Sequence, residues 1–227
     1  MLTLIQLPWS PYCITIKHIL THHGIPFRLH NIAYHDRAPI IIATKGEGYT
    51  VPCLIDGTRG ICDLTDFGQE VARYVDRHYQ LTLFPKALDG LQLILSRYIE
   101  HDLEAVGFKV NDTYVIPNRP LVERTMLIRH KERKFGKGCV EEWTSRRRSL
   151  STQFGELLGP IDNMLAASPF LLTDRPLFVD YNLYGILGNY LFNGKTRLPR
   201  LTYLRRWYRT MKAKRRPIGG VGSRMQL

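Results

Sequence analysis

The chain has 227 residues, of which 44% are hydrophobic and 23% charged, with 18 Gly, 13 Pro and 4 Cys. That length holds one large or two small domains with an ample core, and the balance excludes collagen-like, disordered and disulfide-dense chains. No apolar run approaches the ~20 residues that cross a bilayer. Residues 1–8 lack the cationic region of a secretory leader, and four scattered cysteines suit a reducing compartment. A cytoplasmic protein without structural disulfides is therefore expected.

The net charge of +12 is one-sided. Residues 1–80 hold seven Lys/Arg and seven Asp/Glu, whereas residues 81–227 hold 25 and 13. Residues 124–148 carry nine basic and three acidic side chains, and residues 195–216 carry ten basic and none acidic. The asymmetry marks a boundary near residue 80. A basic face of this kind attracts anions, an acidic partner, membrane lipid or nucleic acid, or simply keeps a helical surface hydrated. The hydrated face is the simpler reading.

In chain order, residues 2–7 are apolar with one interruption and predict a buried strand. Ser10-Pro11 then opens a helix, because Ser is a good N-cap and Pro is favoured at the first helical position, and Gly24 closes it. Residues 26–32 alternate as a second strand. Residues 36–44 suit a short helix in spite of three consecutive isoleucines. Segments 50–55 and 58–62 flank Asp56-Gly57, a hairpin signal. Residues 65–79 form an amphipathic helix with Phe67, Val71, Tyr74 and Val75 on its apolar side. The order is βαβαββα, a parallel pair followed by an antiparallel hairpin.

Residues 81–86 read as a linker, and the pattern from 87 to 216 is all-helical. Apolar residues recur at alternating spacings of three and four from Val140 to Met164, broken only by Arg147. They predict one long helix over 139–167, kinked near Gly155, Gly159 and Pro160. Two further helices are expected over 180–192 and 201–213. Residues 106–120 are irregular enough to suggest a loop, and 217–227 a mobile tail.

Ser10-Pro11-Tyr12-Cys13 places two polar side chains at a helix N-terminus, where unpaired amides and the positive end of the dipole favour an anion, a thiolate in particular. With Val51-Pro52 before the hairpin, the helix ending Ala72-Arg73-Tyr74-Val75-Asp76, and Arg175-Pro176-Leu177-Phe178-Val179-Asp180 opening a late helix, the chain resembles the glutathione transferase superfamily. The resemblance implies a thioredoxin-like N-terminal domain over 1–80 that binds glutathione as co-substrate, followed by an all-α domain. It implies a cytoplasmic transferase, a two-fold homodimer, and a small electrophile as the second substrate.

By the same resemblance Ser10 is the catalytic residue, a hydroxyl donating to the glutathione thiolate. Lowering a thiol pKa by two units requires about 2.7 kcal/mol. One hydrogen bond to a charge supplies about 1.5–3, and a helix terminus about 0.3–1. The glutathione contacts implied are Ser10, Tyr12, Cys13, the backbone of Val51 before a cis Pro52, and Thr65 and Asp66. Thr65 and Asp66 replace an acid–serine pair that this sequence lacks as such, with Asp66 capping the third helix and Gln69 completing a capping box. As a side chain, Cys13 reads as a small core residue. Asp180 matches a buried structural aspartate, although Leu177 stands where a capping hydroxyl is usual. Arg97, Tyr98 and His101 are placed by position near the electrophile. His22, His23 and His30 lack ligand spacing, as do Cys53 and Cys62, and no metal site is expected.

Two other readings compete. One is a non-catalytic interaction module whose basic helical half binds an acidic partner, with affinity that falls as salt rises. The other is a glutathione-dependent thiol reductase using Cys13, which needs an exposed thiol of low pKa. Nucleic acid is not expected as a partner, because no recognisable module is present.

Overall fold

A computed structural model describes residues 1–64 and 68–213. The expectations for Thr65, Asp66 and the tail 217–227 lie outside those residues, as do Lys214, Arg215 and Arg216.

The first half is built from β1 (Leu2–Gln6), α1 (Pro11–His22), β2 (Phe27–Asn31), α2 (Ala38–Ala43), β3 (Cys53–Asp56), β4 (Arg59–Cys62) and α3 (Glu70–Tyr79). The sheet order is β2-β1-β3-β4, with β1 parallel to β2 and the other pairs antiparallel. β1 is buried on both faces, as a continuous apolar strand should be. Leu2 and Leu4 join Ile16, Ile19, Val71 and Val75 in one core, while Ile5 meets Ile40, Cys53 and Cys62 on the other side. Gly57 turns the hairpin at φ +58°.

The start of α3 departs from expectation. The helix begins at Glu70 with Gln69 as its N-cap and no side-chain capping bond. Asp63, at the end of β4, accepts the Val71 N–H at 3.0 Å instead. A helix amide that would otherwise be orphaned is thus satisfied through space by a residue eight positions earlier.

The second half consists of α4 (Asp89–Arg97), α5 (Glu104–Val115), α6 (Leu121–Phe135), α7 (Cys139–Ser145), α8 (Arg147–Leu157), α9 (Gly159–Ala167), α10 (Phe178–Leu191) and α11 (Thr202–Lys212). A π-helical segment, Tyr98–Leu103, joins α4 to α5. The chain therefore has a small mixed sheet with its helices, followed by a helical bundle. Among the described residues no helix is long and apolar enough to cross a membrane.

Two helical expectations are corrected. Residues 106–120 are not a loop but mostly α5, in which Val106, Gly107, Phe108, Val110, Asn111, Asp112, Thr113 and Val115 are all buried. A helix covered on nearly every side has no amphipathic period to display. The long helix over 139–167 is instead three, α7 to α9. The second break falls at Leu158, where Pro160 removes a helical donor and suits the first turn of a new helix. The first falls at Arg146, beside Arg147, whose guanidinium donates to Thr113 Oγ1 at 2.7 Å and stacks on Tyr114.

α10 runs through the bundle against α1 and fixes that helix in place. A Cβ on Gly185 would lie 2.1 Å from Thr15 Oγ1 and 2.4 Å from the Pro11 carbonyl oxygen, so the close approach requires glycine. Thr15 Oγ1 donates to Tyr181 O at 3.3 Å, and Asn189 Nδ2 donates to Trp9 O at 2.7 Å. Asp180 is fully buried and accepts from Leu171 N, Leu177 N and Trp207 Nε1 at 2.9–3.1 Å. It therefore serves the structure, as its match implies. Leu177 makes no side-chain cap. Residues 81–86 are well anchored, for Leu83 is buried, its N–H donates to Asp76 Oδ1 at 2.7 Å and its carbonyl accepts from Gln92 Nε2 at 3.0 Å.

Candidate active site

β1 ends at Gln6, and a tight turn, closed by Ser10 N–H donating to Leu7 O at 3.0 Å, delivers Ser10 to the start of α1. Ser10 is the N-cap, in extended conformation with Pro11 behind it. Its Oγ accepts the Cys13 N–H at 3.5 Å. That is long for a capping bond, and the same hydroxyl also interacts with the Cys13 thiol. No acidic residue sits in the first turn, and the helix end keeps its positive field.

The Val51-Pro52 bond is cis, as expected from its place before β3. Carrying the register Ile5↔Cys53 on by two residues sets Val51 opposite Leu7, at the foot of the turn leading to Ser10. The Val51 peptide lies just beyond the last ladder pair of β1 and β3.

Cys13 is fully buried, and burial pushes its thiol up to about 12 against the opposing pull of the Ser10 hydroxyl. A side chain with no exposed surface offers a ligand none of its atoms. Cys13 is therefore a core residue, and the reductase reading is left without its nucleophile. Tyr12 is half-buried in the first turn of α1, and its hydroxyl donates to the Glu104 carboxylate of α5. Burial raises Glu104 to about 7, and Lys131 and Lys134 oppose that rise.

Sequence reasoning missed Arg37 and Glu70, and preferred Thr65 and Asp66 to Asp63. Arg37, at the head of α2, has a half-buried guanidinium lying over the Tyr34 ring at 5.2 Å. Asp63 and Glu70 face each other at the head of α3, where burial and the neighbouring Glu70 raise the Asp63 carboxyl. Glu70 Oε2 is buried without a hydrogen-bond partner among the described residues. A cleft of about 790 Å³, lined by Glu70 but by neither Asp63 nor Ser10, opens between α2, β4 and α3.

Two residues of the second half contact the segments around Ser10 and Arg37. Arg119 stacks on Trp9 at 3.9 Å, and Glu123 Oε1 accepts the Tyr34 N–H at 3.3 Å. The candidates placed by position fare differently. Tyr98 OH is committed to Leu157 O at 2.5 Å, while Arg97 and His101 are exposed. His22 and His23 both hydrogen-bond the Tyr181 hydroxyl, at 2.7 and 3.0 Å, and so help to join α1 to α10.

This architecture is that of the thioredoxin-like, helically extended proteins. Residues 4–80 match the family model described as glutathione S-transferase, N-terminal domain. No curated protein sequence gives a significant match. Glutathione transferase GSTFuA3 from Phanerochaete chrysosporium superposes with a TM-score of 0.79 at 17% identity, covering 92% of this chain and 95% of that one. The glutathione S-transferase CsGST63524 of Ceriporiopsis subvermispora, solved in complex with glutathione, gives 0.77 at 16% identity, covering 93% and 98%. Glutaredoxin 2 from Salmonella typhimurium, also in complex with glutathione, gives 0.72 at 18%, covering 93% of both chains. The N-terminal unit thus matches the glutathione S-transferase N-terminal domain by sequence, and the whole length shares the fold of these structures.

Proposed function

We propose that the protein is a glutathione transferase-like enzyme in which Ser10 activates the glutathione thiol for attack on a small electrophile. The observation that carries this reading is the Ser10 hydroxyl capping the N-terminus of α1 through a long 3.5 Å bond, in a first turn without an acidic residue. The hydroxyl donates to the sulfur, the α1 amides add their dipole, and the Val51 peptide pairs with the cysteinyl backbone in strand fashion. Tyr12 borders the thiol on the side of the bundle. The acids Asp63 and Glu70 suit the ammonium of the γ-glutamyl group, with Thr65 and Asp66 in the same stretch of chain. The glutathione held by two of the structural neighbours supports glutathione as the co-substrate here. The electrophile is taken up between the two halves, and the surrounding basic side chains favour one that carries a carboxylate.

The cytoplasm suits four unpaired, buried cysteines. A homodimer accords with the exposed Leu91, Leu93 and Ile94 on α4, which a second copy would cover. The competing interaction-module reading draws on α11, where Arg205, Arg206 and Arg209 are exposed. The partner in that second reading is an acidic protein or a nucleic acid, and neither reading assigns a membrane.

The test is calorimetric titration of reduced glutathione into wild type and Ser10→Ala, with the ultraviolet thiolate band followed against pH. The wild type is expected to bind glutathione and lower its thiol pKa, and Ser10→Ala to bind it with a thiol pKa closer to the free value. If millimolar glutathione produces neither heat nor a shift in the wild type, the enzyme reading is wrong and the basic α11 becomes the place to seek a partner.

A further inference from the structure

Arg37 carries more than a surface charge would. Its side chain turns inward from the head of α2, and its Nη1 is buried with no hydrogen-bond partner among the described residues. A guanidinium has five donors and does not discharge inside a protein, so a buried, unpaired N–H of this group calls for an acceptor. Its guanidinium lies over the Tyr34 ring at 5.2 Å, and Tyr34 packs against the cluster that holds Leu7 and Trp9 of the turn before Ser10. The Cys13 thiol beneath Ser10, the Tyr49 phenol and His130 on α6 also feel its charge.

None of these groups supplies a resident anion. The Cys13 thiol is held neutral by burial, and burial likewise raises the Tyr34 hydroxyl. Asp36, the carboxylate on its own segment, is exposed and accepts the Ala38 N–H at 3.2 Å. Asp63 faces Cys13 from β4 with its Oδ1 on the Val71 N–H. Among the described residues, Arg37 is thus a cation near the Ser10 turn whose buried nitrogen has no anionic acceptor.

We propose that Arg37 contacts the sulfur of bound glutathione and, together with Ser10, holds it as the thiolate. The inference rests on the glutathione reading above. In the step concerned the S–H bond breaks, the electron pair stays on sulfur, and the proton leaves to solvent. The same electron pair then forms the bond to the electrophile. An opposite charge at short range is an effective way to favour an ionised thiol.

The experiment compares wild type, Arg37→Met and Arg37→Lys with two probes, glutathione and S-methylglutathione. The second keeps both carboxylates and the ammonium but has no ionisable thiol. Arg37→Met is expected to lower the thiolate fraction of bound glutathione at neutral pH by about tenfold. Its affinity for S-methylglutathione should stay within about twofold of wild type, and Arg37→Lys, which keeps the charge, should hold the thiolate fraction within about threefold. Equal loss of affinity for both probes with an unchanged thiol pKa would overturn the proposal and assign Arg37 to a carboxylate. An unchanged thiol pKa with unchanged affinity would overturn it as well. If the wild type binds neither probe, the glutathione reading itself fails, and that result is distinct from the other two. Thermal melts followed by circular dichroism check that each variant is folded.

Discussion

Replacing Asp180 separates hydrogen bonding from charge at the centre of the bundle. The carboxylate accepts from Leu171 N and Trp207 Nε1 on Oδ1, and from Leu177 N on Oδ2. Burial still raises it from 3.8 to about 6, so holding the charge at neutral pH costs about 3 kcal/mol relative to the unfolded chain. Asp180→Ala strands three buried donors at about 2 kcal/mol each and relieves that charge, a net loss of about 3 kcal/mol. Asp180→Asn keeps the acceptor for two of the donors, strands one, and relieves the same charge, which leaves it level with wild type or about 1 kcal/mol more stable.

For a chain of this size about 3 kcal/mol corresponds to roughly 6–12 °C in the thermal midpoint, read by circular dichroism. The pH dependence has a defined sign. Because the folded pKa lies above the unfolded one, the native state holds the extra proton between pH 3.8 and about 6. Wild type should therefore lose stability relative to Asp180→Asn as pH rises through that window, and the gap should be constant above it. If Asp180→Ala melts with wild type, the three bonds are not supporting α10. If Asp180→Asn falls as far as Asp180→Ala, the charge matters and the acceptor geometry does not.

Two further outcomes follow from the packing. All four cysteines are buried, with Cys13 and Cys53 pushed up to about 12 and Cys62 and Cys139 also raised. The native protein should therefore resist iodoacetamide near neutral pH and react only when unfolded, as mass spectrometry would record. Rapid native modification of Cys13 would restore the reductase reading. Gly185→Ala should lower the thermal midpoint, because its Cβ meets the backbone of Pro11 as well as Thr15. It should also shift the thiol pKa of bound glutathione by displacing Ser10, whereas Gly90→Ala, which meets nothing within 4 Å, should leave both unchanged.

The parts legible in the sequence are those whose causes are local. The Ser10-Pro11 cap, Gly24, the Asp56-Gly57 turn and the apolar run of β1 each act within a few residues, and all appear where expected. The cis Val51-Pro52 bond was reached through resemblance. α5 was illegible because a helix buried all round hides its period. The start of α3 was illegible because Asp63 caps it from β4, outside any capping spacing. Arg37 and Glu70 look ordinary in sequence. Their chemistry arises only where the Tyr34 ring meets the first, and Asp63 approaches the second.

The same distinction applies to the site as a whole. Ser10 owes its identity as a cap to its neighbours, but owes its position to α10, some 170 residues away. Gly185 lets the two helices touch, Asn189 holds the Trp9 carbonyl in the turn before Ser10, and Tyr181 receives Thr15. α10 is in turn tied to the segment before it and to α11 by Asp180, through Leu171, Leu177 and Trp207. A substitution in the bundle that leaves every proposed glutathione contact intact can therefore still move the thiol-binding hydroxyl. Thiol pKa, rather than fold or affinity alone, is the quantity in which such a change would register.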